Sequence, residues 1–275
     1  MFKKITAILT IGLIGFTVYS CTTNSVTGRS QLMLVPEAQL RTMAVSEYQT
    51  FLSSSKVVTN ANNKDVEMVN RVGQRIIAAV KNYYQQSGNA AQLEGYNWEV
   101  KLVDSKEANA WCMPGGKIVV YTGLLPITQN EAALANVMGH EVSHALFSHS
   151  NERMSQGLLA QGVSTAADAA LAISNKSAAT RQLFSTAIGL GSQVGVILPF
   201  SRKHELEADR YGMIWAAMAG YNPQEAIGLW QRMQQMAGSG STPEFLSTHP
   251  GPEKRIEQLQ KYMPEALKYY KPMGK

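Results

Sequence analysis

Hydrophobic positions change their period along the chain, and the period marks the elements. Val66, Val69, Val72, Ile76, Ile77 and Val80 recur at helical spacing, which predicts a helix over about 65–84. An earlier helix is expected from Pro36 to about Leu52. In Asn97–Val103, Trp98, Val100 and Leu102 alternate with Glu99 and Lys101, the signature of a half-buried strand. Two further apolar runs, 109–113 and 117–121, flank Pro114-Gly115-Gly116, a strong turn signal. They predict a pair of antiparallel strands and hence a small sheet. From residue 128 onward the pattern is helical. Thr128 and Glu131 have capping-box spacing, Ser201 can cap a helix ending at Gly220, Asn222-Pro223 opens another, and a last helix follows Pro252. The expected class is α+β and mainly helical, with a small antiparallel sheet.

The ends and the middle add boundaries. Lys3 and Lys4 precede an apolar run from Ile5 to Val18, and Val18-Tyr19-Ser20-Cys21 closes it. Residues 1–20 therefore read as a signal peptide, and the closing tetrad resembles a lipobox that would lipidate Cys21. Cleavage without lipid is the alternative. Residues 21–35, rich in Ser, Thr and Asn, are expected to form a tether, and 36–275 the folded domain. Within it, 153–200 is rich in Ala, Gly and Ser, and Gln182–Ser201 carries no charge. A lid over the domain is the expected role, with a membrane span as the alternative.

Composition narrows the partners. The 275 residues are 45% hydrophobic and 16% charged, which describes a globular chain. The net charge is +5, but no run of five or more basic residues occurs, so no nucleic-acid partner is expected. Cys21 and Cys112 are the two cysteines. With Cys21 acylated, Cys112 has no intramolecular partner and reads as a small buried hydrophobe.

Candidate chemistry lies in VMGHEVSHALFSHS, residues 137–150. His140 and His144, at i and i+4, share a helix face. Glu141 lies about 100° around, close enough to reach a metal-bound water without being a ligand. A catalytic zinc needs a third protein ligand. His149 is nearest, but lies about 180° from His140 on a continuous helix. A metzincin pattern would need glycine at 147 and histidine at 150, where the chain has Phe147 and Ser150. His149 is therefore not expected to bind the metal unless the helix breaks before it. SRKHELEADRYG, residues 201–212, places Glu205 and Asp209 one turn apart. Glu205 can reach the metal, and Asp209 can accept the free ring N–H of a ligating histidine. His204 and Glu207 point elsewhere on that helix.

Together these residues resemble the CAAX-prenyl-protease/HtpX-type family of gluzincin metallopeptidases. NAWCMPGGKIVVYTGLL (109–125) and STHPGPEKRI (247–256) are also family-like, and TGRSQLMLVPEAQ (27–39) is similar to the start of its bacterial lipoprotein branch. The resemblance implies a zincin-like fold, one zinc per chain held by His140, His144 and Glu205, and Glu141 as general base. Asp209 would support His140. His249 would stabilise the oxyanion or fill the fourth metal position as a latency plug. Arg202 would serve oxyanion stabilisation or structure. The strand containing Asn109, Ala110 and Trp111 is the expected edge for an extended peptide. The implied function is an endopeptidase of the bacterial cell envelope that cuts misfolded or unassembled proteins. Its lipid anchor would face the periplasm, and Thr22 after Cys21 favours the outer membrane. A zinc-containing assembly factor or chaperone, and a narrow processing peptidase, are the alternatives.

Overall fold

The computed structural model describes residues 21–163, 166–175, 177–188, 201–238, 240, 242–243, 245–246, 249 and 255–272. The expected signal peptide and parts of the expected lid lie outside the described residues. No described helix is long and apolar enough to cross a membrane.

A short hairpin of β1 (Cys21–Thr23) and β2 (Ser30–Leu32) leads to α1 (Glu37–Ser54) and α2 (Lys64–Gln86). Asn63 caps α2, its side chain accepting from the Asp65 and Val66 amides. The predicted stripe is the buried one: Val69, Val72, Ile76, Ile77 and Val80 all face the core. The main sheet comprises β3 (Glu99–Val103), β4 (Ala110–Met113) and β5 (Lys117–Tyr121), in the order β3-β5-β4. The predicted β4–β5 hairpin is present, with Gly115 and Gly116 at φ 91° and 89° in its turn. The sheet is antiparallel only there, because β3 runs parallel to β5. Alternation within one strand leaves the direction of its neighbour unspecified.

Both faces of the sheet are covered. Ala110, Cys112, Ile118 and Val120 pack toward α2 and the later helices, whereas Trp111, Met113, Val119 and Tyr121 pack against residues of α1. Two-sided burial explains the continuous apolar runs of β4 and β5.

The helices after the sheet are α3 (Glu131–Leu146), α4 (His149–Ala160), α5 (Ala166–Ser174), α6 (Ala178–Ala187), α7 (Ser201–Met218), α8 (Glu225–Gly238) and α9 (Arg255–Leu267). The cap of α3 is Asn130, whose side chain accepts from the Ala133 amide, and not Thr128. Thr128 instead closes a separate helical turn, Leu125–Thr128, before Gln129 at φ 64°. Every residue from Ala133 to Leu146 is buried, so α3 runs through the core. It crosses α7 at two glycines. A Cβ on Gly139 would lie 2.5 Å from the Gly212 carbonyl oxygen, and one on Gly212 would lie 2.7 Å from the His140 nitrogen. Beside the crossing, Trp215 Nε1 donates to Ser143 Oγ at 2.9 Å.

The expectation of a tether over 21–35 is corrected. Arg29 pairs with Glu152 and Glu207, Gln31 Nε2 donates to the Phe147 carbonyl, and the Leu34 amide donates to Ser155 Oγ at 2.9 Å. Leu34 and Val35 are core residues. A polar composition suggested a solvated segment, but these polar groups find partners on α3, α4 and α7.

Candidate metal centre

The α3–α7 crossing brings two halves of the sequence together. From α3, His140 Nε2 and His144 Nε2 stand 3.0 Å apart. From α7, Glu205 places one carboxylate oxygen 3.3 Å from His140 Nε2 and the other 3.5 Å from His144 Nε2. His249 adds its Nδ1 at 3.4 Å from His140 Nε2 and 3.2 Å from Glu205. The donor atoms of all four residues lie within 4.8 Å of one another, and all four residues are buried. A tetrahedral zinc site with bonds of about 2.0–2.1 Å has donor–donor edges of about 3.3–3.4 Å, so this set fits the ion. Three imidazole nitrogens and a carboxylate are also the donor types zinc prefers.

Glu141 flanks the donors. Its Oε1 is buried without a hydrogen-bond partner and faces His249 Nε2 at 3.4 Å. Burial raises its pKa above the ordinary carboxylate value. Glu205 behaves oppositely. Burial alone would raise its pKa, but the facing His249 and His144 and hydrogen bonds from His140 and His249 hold it well below the ordinary value. His144 is pushed well below 6.5, first by burial.

Behind the donors, Asp209 Oδ1 accepts from His140 Nδ1 at 3.0 Å, which leaves His140 Nε2 free to face the cluster. Against burial, hydrogen bonds to Asp209 and Glu205 raise the His140 pKa to about 9. Arg255 Nη2 donates to the same Asp209 oxygen at 2.6 Å and stands 3.5 Å from Glu205. Its guanidinium lies over the Trp230 ring, 3.4 Å from the centroid.

The expected residues divide into those gathered here and those not. His140, Glu141, His144, Glu205, Asp209 and His249 converge. Arg202 is exposed, and the buried arginine of the cluster is Arg255. Arg202 lies in the first turn of α7 with its side chain exposed, whereas Arg255 begins the helix that packs on α7. The one sequence signal for Arg255 is its place in STHPGPEKRI, six residues after His249. β4 is an edge of its sheet and lies beside α3, but the side chains of Asn109, Ala110 and Trp111 are buried.

His149 is not in the donor set, yet it is not remote. α3 ends at Leu146, Ser148 adopts φ 53°, and α4 starts at His149. This break turns the His149 ring back, placing its Nδ1 2.9 Å from His144 Nδ1. Burial pushes its pKa well below 6.5.

Comparison with known proteins agrees with the site. Residues 68–263 match peptidase family M48. The chain is 35% identical to the mitochondrial metalloendopeptidase OMA1 of Schizosaccharomyces pombe over 72% of its own length and 53% of the relative's. The Arabidopsis thaliana protein of the same name is 37% identical over 66% of this chain and 35% of its own length. The beta-barrel assembly-enhancing protease of Escherichia coli is 31% identical over 56% of this chain and 32% of the relative. The chain thus spans about half or less of the length of these relatives. Human and bovine relatives named as mitochondrial metalloendopeptidases match 88% of the chain. These matches correct the expected lipid-anchored, outer-membrane placement: the relatives that cover most of the chain are mitochondrial, and they lend lipidation of the exposed Cys21 no support. With a family match across most of its length and a buried donor set suited to the ion, the chain belongs to peptidase family M48, a family of zinc metallopeptidases.

Proposed function

We propose that this chain is an endopeptidase that hydrolyses peptide bonds within misfolded or unassembled proteins. The observation that carries the reading is Glu141, a buried carboxylate with an oxygen that accepts no hydrogen bond, beside a donor set of three histidines and one glutamate. A purely structural zinc needs no base at its side.

In this reading His140, His144 and Glu205 would hold the metal, which would supply a Lewis acid able to acidify water and polarise a peptide carbonyl. Glu141 takes the proton of the attacking water and delivers it to the leaving amine. Asp209 holds the Nδ1 proton of His140, and Arg255 holds Asp209.

β4 supports an extended substrate. The Tyr121 amide donates to the Asn109 carbonyl, so the backbone of Asn109, Trp111 and Met113 faces β5. The alternate residues, Ala110 and Cys112, turn their backbone groups to the outer edge. On that edge the Ala110 amide is taken by Asn109 Oδ1 and the Ala108 carbonyl accepts from the Phe245 amide at 3.0 Å, and an incoming peptide strand would pair with the Ala110 carbonyl and the Cys112 amide. A locally unfolded chain presents such strands freely, which favours misfolded and unassembled substrates.

His249 would supply a fourth donor to a metal held there. A catalytic zinc keeps one position open, so we read this arrangement as latent, with His249 leaving when substrate enters. The name of the Escherichia coli relative joins proteolysis to assembly, and a latent site suits a protease that must spare assembling partners.

The test offers the zinc-loaded chain one protein in unfolded and in native form. Cleavage of the unfolded form, lost on chelation and restored by zinc, is expected. Failure to cut the unfolded form after full zinc loading would sink the proposal.

A further inference from the structure

All five histidines of the chain lie in or against the metal centre, and two of them, His149 and His204, are outside the donor set. Their hydrogen bonds determine a proton arrangement. His149 Nε2 is 2.7 Å from Glu207 Oε2. An ionised carboxylate only accepts, so the proton of the neutral His149 ring sits on Nε2. Its Nδ1 then carries a lone pair. His144 Nδ1, 2.9 Å away, must donate to it. That leaves His144 Nε2 without a proton, and this is the nitrogen that faces His140 and Glu205. The reverse arrangement would set a bare His149 Nε2 against a carboxylate and a protonated His144 Nε2 into the donor set.

The surroundings hold this arrangement from three sides. Arg29 Nε donates to Glu207 Oε2 at 3.1 Å, and its Nη1 donates to Glu152 Oε2 at 2.6 Å. His204 Nε2 donates to the same Glu152 oxygen at 3.0 Å, and the His204 ring stacks on His149 with centroids 4.3 Å apart and planes 12° from parallel. Ser148 accepts a left-handed conformation that non-glycine residues seldom adopt, and this turn points His149 at His144.

We infer that His149 is a positioning residue for the metal centre: backed by Glu207 and by Arg29 from the N-terminal hairpin, it holds His144 as the Nδ1–H tautomer that presents Nε2 to zinc. His140 has its orienting carboxylate in Asp209, and His149 with Glu207 is the counterpart for His144. The N-terminal hairpin is thereby part of the metal site. The inference rests on the reading of His144 as a ligand.

Zinc affinity of the full chain, measured by competition with a chromophoric chelator, tests it on His149→Asn and His149→Leu. Asparagine keeps an acceptor near the Nδ1 position and leucine does not. His149→Leu is expected to bind zinc about 10–100-fold more weakly, and His149→Asn to stay within about threefold of wild type. Imidazole ¹⁵N spectra of the zinc-loaded wild-type chain give a readout that needs no variant to fold: His144 is expected protonated on Nδ1 and His149 on Nε2. Equal zinc affinity in the two variants, or a wild-type His149 protonated on Nδ1, overturns the inference while the zinc site stands. A wild-type chain that takes up no zinc overturns the metal-centre reading and the inference with it.

Discussion

Gly139 and Gly212 hold the backbones of α3 and α7 in direct contact, one residue before the first candidate zinc ligand. An added Cβ on Gly212 would stand 2.7 Å from the His140 nitrogen and 3.0 Å from its Cα. Neither is a flexible side-chain end that can move aside. Gly212→Ala is therefore expected to destabilise the fold by about 1–3 kcal/mol or more and to weaken zinc binding, because the helices must part where the donors meet. Thermal unfolding and metal content measure the two effects together. A variant with wild-type stability and full zinc would show that the crossing does not set the donor geometry.

Asp209 serves two partners with one oxygen. It accepts from His140 Nδ1 at 3.0 Å and from Arg255 at 2.6 Å, and Arg255 is 1% exposed. Asp209→Ala leaves a buried guanidinium without this partner and frees the His140 ring to rotate. The expected result is a loss of about 3–5 kcal/mol in stability and about 10–100-fold in zinc affinity. Denaturant unfolding and chelator competition give the two numbers.

His249→Ala separates the two roles implied for this residue. If His249 closes the fourth position, its removal leaves His140, His144 and Glu205 in place, so zinc is retained. Cleavage then rises toward the fully open level, on the order of tenfold if a tenth of the molecules are open at rest. A drop in cleavage with zinc retained would instead assign His249 to oxyanion stabilisation. Peptidase rates and metal content on the same preparations decide between them.

Much of this centre was legible in the sequence because helix geometry is local. The i,i+4 pairs His140/His144 and Glu205/Asp209 each define a face, and the structure turns those faces toward one another. The stripe of α2 and the β4–β5 hairpin were legible for the same reason: one period, one turn signal. What could not be read depends on contacts between distant segments. The parallel β3–β5 pairing requires knowledge of where each strand enters the sheet. Arg255 reaches Asp209 only because α9 packs on α7. Arg29 appeared to belong to a solvated tether because its partners, Glu152 and Glu207, lie more than a hundred residues away. His149 appeared remote because rotation was counted along an unbroken helix, and the left-handed turn at Ser148 resets that count.

Glu141→Gln asks whether Glu141 activates water beside a zinc held by His140, His144 and Glu205, since glutamine keeps the size of the side chain and removes its basicity. The variant is expected to hold one zinc per chain, as in wild type, and to cleave an unfolded protein about 10²–10⁴-fold more slowly. Undiminished cleavage by the zinc-loaded variant would contradict it.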